Sequence, residues 1–128
     1  MTTPIRVLIV DDAKCIRTFL RKCLQELKVE VVGEASNGEE AVKMQAALKP
    51  DILLLDINMP VLDGQDALKR IIAADPNAHV VMLTSQTSGS VVEECIEAGA
   101  MNYILKDMPK EALLAELQGT FAECQKPH

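Results

Sequence analysis

Short apolar runs alternate with amphipathic stretches along the whole chain. Ile5 to Val10, Val29 to Glu34, Ile52 to Asp56, Val80 to Thr84 and Met101 to Lys106 have strand length, and the wholly apolar ones read as strands buried on both faces. Gly33 marks a bulge or bend in the second. After the first strand, Ile16, Phe19, Leu20, Cys23, Leu24 and Leu27 keep to one helical face. Ser36 and Glu39 have capping-box spacing and open a helix that ends before Pro50. Met59 to Gly64 is too rich in breakers for regular structure, with Asp63 as a cap or turn residue. A helix over Gln65 to Ala74 stops before Pro76. Ser90 and Glu93 repeat the capping-box spacing, and that helix ends near Gly99. Pro109 suits the first turn of a last helix carrying Leu113, Leu114, Leu117 and Phe121.

The pattern is a strand-helix unit repeated five times, (βα)5, without internal repeats or linkers. Strict alternation predicts an α/β fold: a doubly wound, five-stranded parallel sheet with right-handed crossovers and helices on both faces. Such sheets bind ligands beyond the carboxyl ends of their strands. Asp11, Asp12, Asp56, Thr84 and Lys106 all fall at or just past those ends.

Composition narrows the function. With 128 residues, 48% of them apolar, the chain is expected to be one domain spanning 1–128. Net charge is −6, and the 13 Lys and Arg residues are spread along the chain, so direct nucleic-acid binding is not expected. No apolar run approaches a membrane span, and the N-terminus lacks the features of a signal peptide. Cysteines 15, 23, 95 and 124 form no C-x-x-C pair, and neither His79 nor His128 lies near such a pattern, which argues against zinc. Reduced thiols acting mostly as core filler, and a cytoplasmic location, are expected.

Three aspartates gathered at one sheet edge repel one another unless a cation joins them. Mg²⁺ suits the site, taking a few carboxylates and keeping positions for water and phosphate oxygens. Asp11, Asp12 and Asp56 supply the carboxylates, Lys106 a positive charge and Thr84 a hydroxyl donor. These are the demands of phosphoryl transfer, and a carboxylate can itself be the nucleophile. Asp56 is the choice, with a breaker-rich loop behind it. Singly, each residue has a plainer reading: Asp12 as a helix cap, Thr84 as a loop hydroxyl, Lys106 as a surface charge, Tyr103, Met82 and Met101 as core. Their combination at one rim overturns the plain readings for Asp11, Asp12, Asp56, Thr84 and Lys106.

The chain resembles the receiver domains of two-component response regulators, most closely the single-domain chemotaxis type. The likeness rests on Asp11-Asp12, on Asp56 followed by Met59-Pro60-Val61-Leu62-Asp63-Gly64, on Thr84 and on Lys106, and covers nearly the whole chain. It implies a flavodoxin-like sheet of order 2-1-3-4-5 and phosphorylation of Asp56 by a sensor histidine kinase or phosphotransfer protein. Mg²⁺ would be held by Asp11, Asp12, Asp56 and the Asn58 carbonyl. Thr84 and Lys106 would bind phosphoryl oxygens, and Thr84 with Tyr103 would form the switch, Tyr103 turning inward. A downstream effector protein would read the α4-β5-α5 face, by a monomer or a phosphorylation-dependent dimer. No enzymatic role is implied beyond self-catalysed phosphotransfer and autodephosphorylation. The chain ends soon after its last helix, from which a free-standing regulator is expected.

Two features set it apart. Asp107 follows Lys106 where the family usually has proline, so a trans bond and a shifted loop are expected there; Lys-Asp also occurs in receivers attached to helix-turn-helix outputs. Asn58 and Gln86 occupy positions that tune phosphoryl lifetime in this family. Two alternatives fit less well. A phosphatase of the haloacid dehalogenase type needs Asp-x-Asp after the first strand, but position 13 is Ala13. A flavodoxin needs a Thr-, Ser- and Gly-rich first loop, where this chain has Asp11-Asp12-Ala13-Lys14.

Overall fold

The computed structural model describes residues 4–85 and 89–125. In chain order the elements are β1 (Arg6–Val10), α1 (Lys14–Glu26), β2 (Glu30–Ala35), α2 (Gly38–Leu48), β3 (Ile52–Asp56), α3 (Gly64–Ala74), β4 (Val80–Thr84), α4 (Gly89–Glu97), β5 (Asn102–Leu105) and α5 (Lys110–Gln125). All five strands are parallel, in the order β2-β1-β3-β4-β5. The fold class and strand order expected from the sequence are therefore found.

Successive strand residues point to opposite faces, and the apolar strands feed two cores. Val7, Ile9, Ile52, Leu54, Val81, Leu83 and Ile104 meet α1 and α5. Leu8, Val10, Leu53, Leu55, Val80 and Met82 meet α2, α3 and α4. Each fully buried aliphatic side chain contributes roughly 1.5–3 kcal/mol, which anchors the three central strands and leaves their polar tips at one rim. The apolar face read for α1 packs as expected, with Leu20, Cys23 and Leu24 buried.

Local details differ from the sequence reading in instructive ways. The β2 bulge is present: Val7 pairs with Val31 but Leu8 pairs with Gly33, leaving Val32 as the extra residue. A β-carbon on Gly33 would lie 2.7 Å from the Met44 methyl, so glycine lets α2 approach β2. The cap of α2 is Asn37, not Ser36. The Asn37 side chain accepts from the Glu40 amide at 2.9 Å, while the Glu40 carboxylate accepts from the Ser36 amide and hydroxyl, each at 2.9 Å. The helix start is set by Gly38, whose amide donates to the Leu62 carbonyl at 3.0 Å. Its absent β-carbon would lie 2.2 Å from that oxygen. Ser90 is inside α4, whose first residue is Gly89, so it does not cap that helix. Pro109 precedes α5 and accepts from the Leu113 amide at 3.0 Å, the position of a cap. Asp63 caps α3 through the Asp66 amide at 2.9 Å, and Gly99 adopts φ 120° after α4. Among the free cysteines, Cys23 and Cys95 are buried, but Cys15 is exposed. No described helix is long and apolar enough to cross a membrane.

Candidate functional site

The rim beyond β1, β3, β4 and β5 gathers the residues expected there. Asp11 is the first residue after β1 and is fully buried. Its amide donates to the Ala35 carbonyl on β2 at 3.1 Å. Its Oδ1 accepts from the Ala13 amide at 2.9 Å and its Oδ2 from the Lys106 ammonium at 2.8 Å. Asp12 next to it is exposed. It does not cap α1, whose N-cap is Ala13 with no side-chain hydrogen bond.

Asp56 ends β3 and is 2% exposed. Its Oδ1 accepts from the Lys106 ammonium at 2.9 Å and from the Asn58 amide at 3.3 Å. Its Oδ2 is buried without a hydrogen-bond partner among the described residues. Burial is the main influence on this carboxyl and lifts its pKa to about 6; the Lys106 hydrogen bond opposes the rise, and the negative charge of Asp11 adds to it. Lys106 follows β5, held by its own amide donating to the Thr84 carbonyl at 2.8 Å. Burial lowers its pKa, but hydrogen bonds to Asp11 and Asp56 outweigh burial and hold it above the ordinary lysine value. Thr84, at the tip of β4, is buried beside this junction. The Lys106–Asp107 peptide is trans, as expected, since no described peptide bond is cis.

One carboxylate oxygen from each of Asp11, Asp12 and Asp56 lies within 4.8 Å of the others. Three carboxylates against one ammonium leave two negative charges, the complement of a divalent cation. The donors are hard oxygens, and the Asp56 Oδ2 is a buried acceptor that calls for a partner. The site therefore fits Mg²⁺ on its own chemistry. Asn58 stands at the mouth, exposed, two residues past Asp56. Gln86 lies outside the described residues.

Tyr103 does not join the cluster. It is 42% exposed on β5, so the plain reading of it as core filler fails. The loop behind Asp56 is tightly seated. The Gly64 amide donates to the Ile57 carbonyl at 2.8 Å, and a β-carbon on Gly64 would lie 2.1 Å from the Asp56 carbonyl oxygen. Val61 in that loop takes φ 70°, costly for a β-branched residue.

Sequence reasoning missed a clamp on the first acidic residue. Arg17 of α1 donates to the Asp11 carbonyl at 2.6 Å and to Glu34 of β2 at 3.1 Å. Glu34 also accepts from Arg21 at 2.8 Å. The Arg21 hydrogen bond is the main reason the Glu34 carboxyl is held below its ordinary value. The only sequence signal was a pair of arginines one turn apart on the helix that follows Asp11-Asp12, and a solvated face would look the same.

Comparison with known proteins agrees with this geometry. The response regulator receiver domain family matches residues 7–118. The chemotaxis protein CheY of Listeria monocytogenes is 41% identical over 114 residues, covering 89% of this chain and 96% of that one. The response regulator domain of Thermotoga maritima CheB superposes with a TM-score of 0.87 at 31% identity, covering 98% and 100% of the two chains. The CheY of a CheX-CheY-BeF3-Mg²⁺ complex from Borrelia burgdorferi superposes with a TM-score of 0.85 at 32% identity, covering 92% and 90%.

Proposed function

Because the chain belongs to the response regulator receiver domain family, a phosphoacceptor of the CheY type, we propose that Asp56 is the residue that takes the phosphoryl group. The observation that carries this is the Lys106 ammonium between Asp11 and Asp56, beside a buried Asp56 Oδ2 without a hydrogen-bond partner among the described residues. Asp11, Asp12, Asp56 and the Asn58 carbonyl would hold Mg²⁺. When bound, the ion neutralises phosphoryl oxygens and so lowers the cost of bringing a phosphate to an acidic pocket.

The chain's own residues do the rest. An Asp56 oxygen attacks phosphorus, the P–N bond of a phosphohistidine donor breaks, and its electron pair leaves on the imidazole nitrogen. The Lys106 ammonium, already 2.9 Å from Asp56, follows the new charge onto a phosphoryl oxygen. The Thr84 hydroxyl donates to another. That movement, with the exposed Tyr103 ring turning inward, couples the site to α4, β5 and α5 through about −1.5 to −2 added charges. Residues 1–128 act as one receiver domain in the cytoplasm. They receive phosphate from a sensor histidine kinase or phosphotransfer protein and present the α4-β5-α5 face to a downstream effector. The phosphorylated form is a monomer or a phosphorylation-dependent dimer. Its catalysis is confined to its own phosphotransfer and autodephosphorylation.

Intact mass after incubation with acetyl phosphate tests the assignment. A single phosphoryl adduct is expected on the wild type with Mg²⁺, none without Mg²⁺, and none on Asp56→Asn. An equally rapid adduct on Asp56→Asn would overturn the assignment of Asp56.

A further inference from the structure

The output face has a charge character that specifies its partner. Residues 89–125 contain seven carboxylates and two lysines, whereas the remainder of the chain has twelve carboxylates and eleven Lys or Arg. Neither lysine lightens the face. Lys106 is turned into the acidic pocket, at 2.8 Å from Asp11 and 2.9 Å from Asp56. Lys110 pairs with Glu26 of α1 at 3.0 Å, on the opposite flank of α5. Nearly all of the chain's negative excess therefore lies on α4, β5, the loop after β5, and α5.

The face is also built for contact. Val91, Cys95 and Ala98 pack α4 onto the sheet, and Glu94 accepts from Gln65 of α3 at 3.0 Å. At 100° per residue, this leaves Ile96 on the flank toward β5, with Glu93 at its solvent side. β5 is an edge strand of the sheet. Of the three large hydrophobic residues exposed among those described, two, Ile96 and Tyr103, lie on this face at 42% each. On the other side of β5, Asn102, Glu116, Gly119, Thr120 and Glu123 line a groove of about 500 Å³. Gly119 has open space over its α-carbon. Apolar anchors ringed by charge of one sign form a surface that selects a partner of the opposite sign and repels its own.

We propose that this face docks a basic polypeptide segment, Arg- or Lys-rich with interspersed apolar residues, on the downstream partner. An acidic segment is excluded by like-charge repulsion. The proposal rests on the receiver reading only for the choice of face; the charge comes from these residues. The field of the face reaches roughly 8 Å at physiological salt, so affinity falls with ionic strength.

The test titrates the isotope-labelled chain, with and without acetyl phosphate and Mg²⁺, with two short synthetic peptides. One alternates arginine pairs with leucines, and the other has glutamate in place of each arginine. Saturable amide shifts over α4, β5 and the Glu116–Gly119 stretch are expected with the basic peptide alone. Glu93→Lys with Glu116→Lys should weaken binding about tenfold or more, and Glu93→Gln with Glu116→Gln by less. Glu30→Lys with Glu39→Lys, the same charge change on exposed residues elsewhere, should leave it within about threefold. Equal binding of the acidic peptide, shifts mapping to another face, equal losses in the two Lys pairs, or no saturation with either peptide would overturn the inference. The phosphoryl adduct on the same samples reads the site separately. An adduct without face-specific basic binding defeats this inference alone. Face-specific binding without an adduct supports it while defeating the phosphoacceptor assignment.

Discussion

The acidic pocket and the α4-β5-α5 face are both rich in carboxylates, yet they use them in opposite ways. In the pocket, Asp11 and Asp56 are buried and hydrogen-bonded to one lysine. Each charge there is held at a fixed position by the Lys106 ammonium. On the face, Glu93, Glu97 and Glu116 are exposed, so water screens them and none is individually worth much. In the proposed docking, only their sum acts, as a field that sorts partners. In the proposed reading, buried charge serves chemistry and exposed charge serves selectivity.

The variant that breaks this contrast hardest is Lys106→Ala. It removes the ammonium that holds the two buried carboxylates together and links the pocket to the end of β5. Mg²⁺-dependent adduct formation should persist, while the phosphorylation-dependent shifts of α4 and β5 amides are lost. Normal shifts in that variant would remove Lys106 from the coupling.

Gly64→Ala attacks the pocket without touching a charge. The new methyl would collide with the Asp56 carbonyl at 2.1 Å and the Ile57 α-carbon at 2.7 Å, and backbone cannot step aside. A stability loss of about 2 kcal/mol or more is expected by chemical denaturation, with slower adduct formation. An unchanged midpoint would mean the loop is not seated as described.

Glu34 lies between the two regimes, partly exposed but doubly paired with Arg17 and Arg21. Its pKa is depressed in the folded chain, so its stabilisation is present above the ordinary value of 4.5 and is lost as pH falls through the depressed one. Glu34→Gln should cost about 1 kcal/mol near neutral pH and lose that deficit in acid. It should also weaken Mg²⁺ binding, because Arg17 no longer fixes the Asp11 carbonyl. A deficit independent of pH would show that the ion pair is not its source. The smallest effect is expected at Val61, where φ is 70°. Val61→Gly relieves the left-handed strain at some cost in chain entropy, for a net gain of about 0.5 kcal/mol and no change in the adduct.

Asp11, Asp12, Asp56, Thr84 and Lys106 were legible as one set because strand-end position is a local property. An apolar run announces its own end, and a parallel sheet sends all such ends to one rim. The element order was legible for the same reason, since periods of two and 3.6 residues are written in neighbouring side chains. The bulge at Gly33 and the cap at Asp63 were local as well. The cap of α2 was not. Ser36 and Asn37 are both competent, and the choice fell to Asn37 because Gly38 docks on the Leu62 carbonyl from a different loop.

The remaining decisions depended on residues far apart in the chain. Lys106 reaches Asp11 across a separation of 95 positions, and only that approach sets its charge against the buried pair. Arg17 became a clamp rather than a surface charge because β2 brings Glu34 beside it. Lys110 pairs with Glu26, and among the described residues the charged side chains left on the face are carboxylates. Sequence by itself determined which elements form and which polar groups end them, because backbone periodicity is short-ranged. Tertiary structure decided which charges are buried, paired or left to face solvent, because electrostatic energy is a sum over neighbours that only folding assembles.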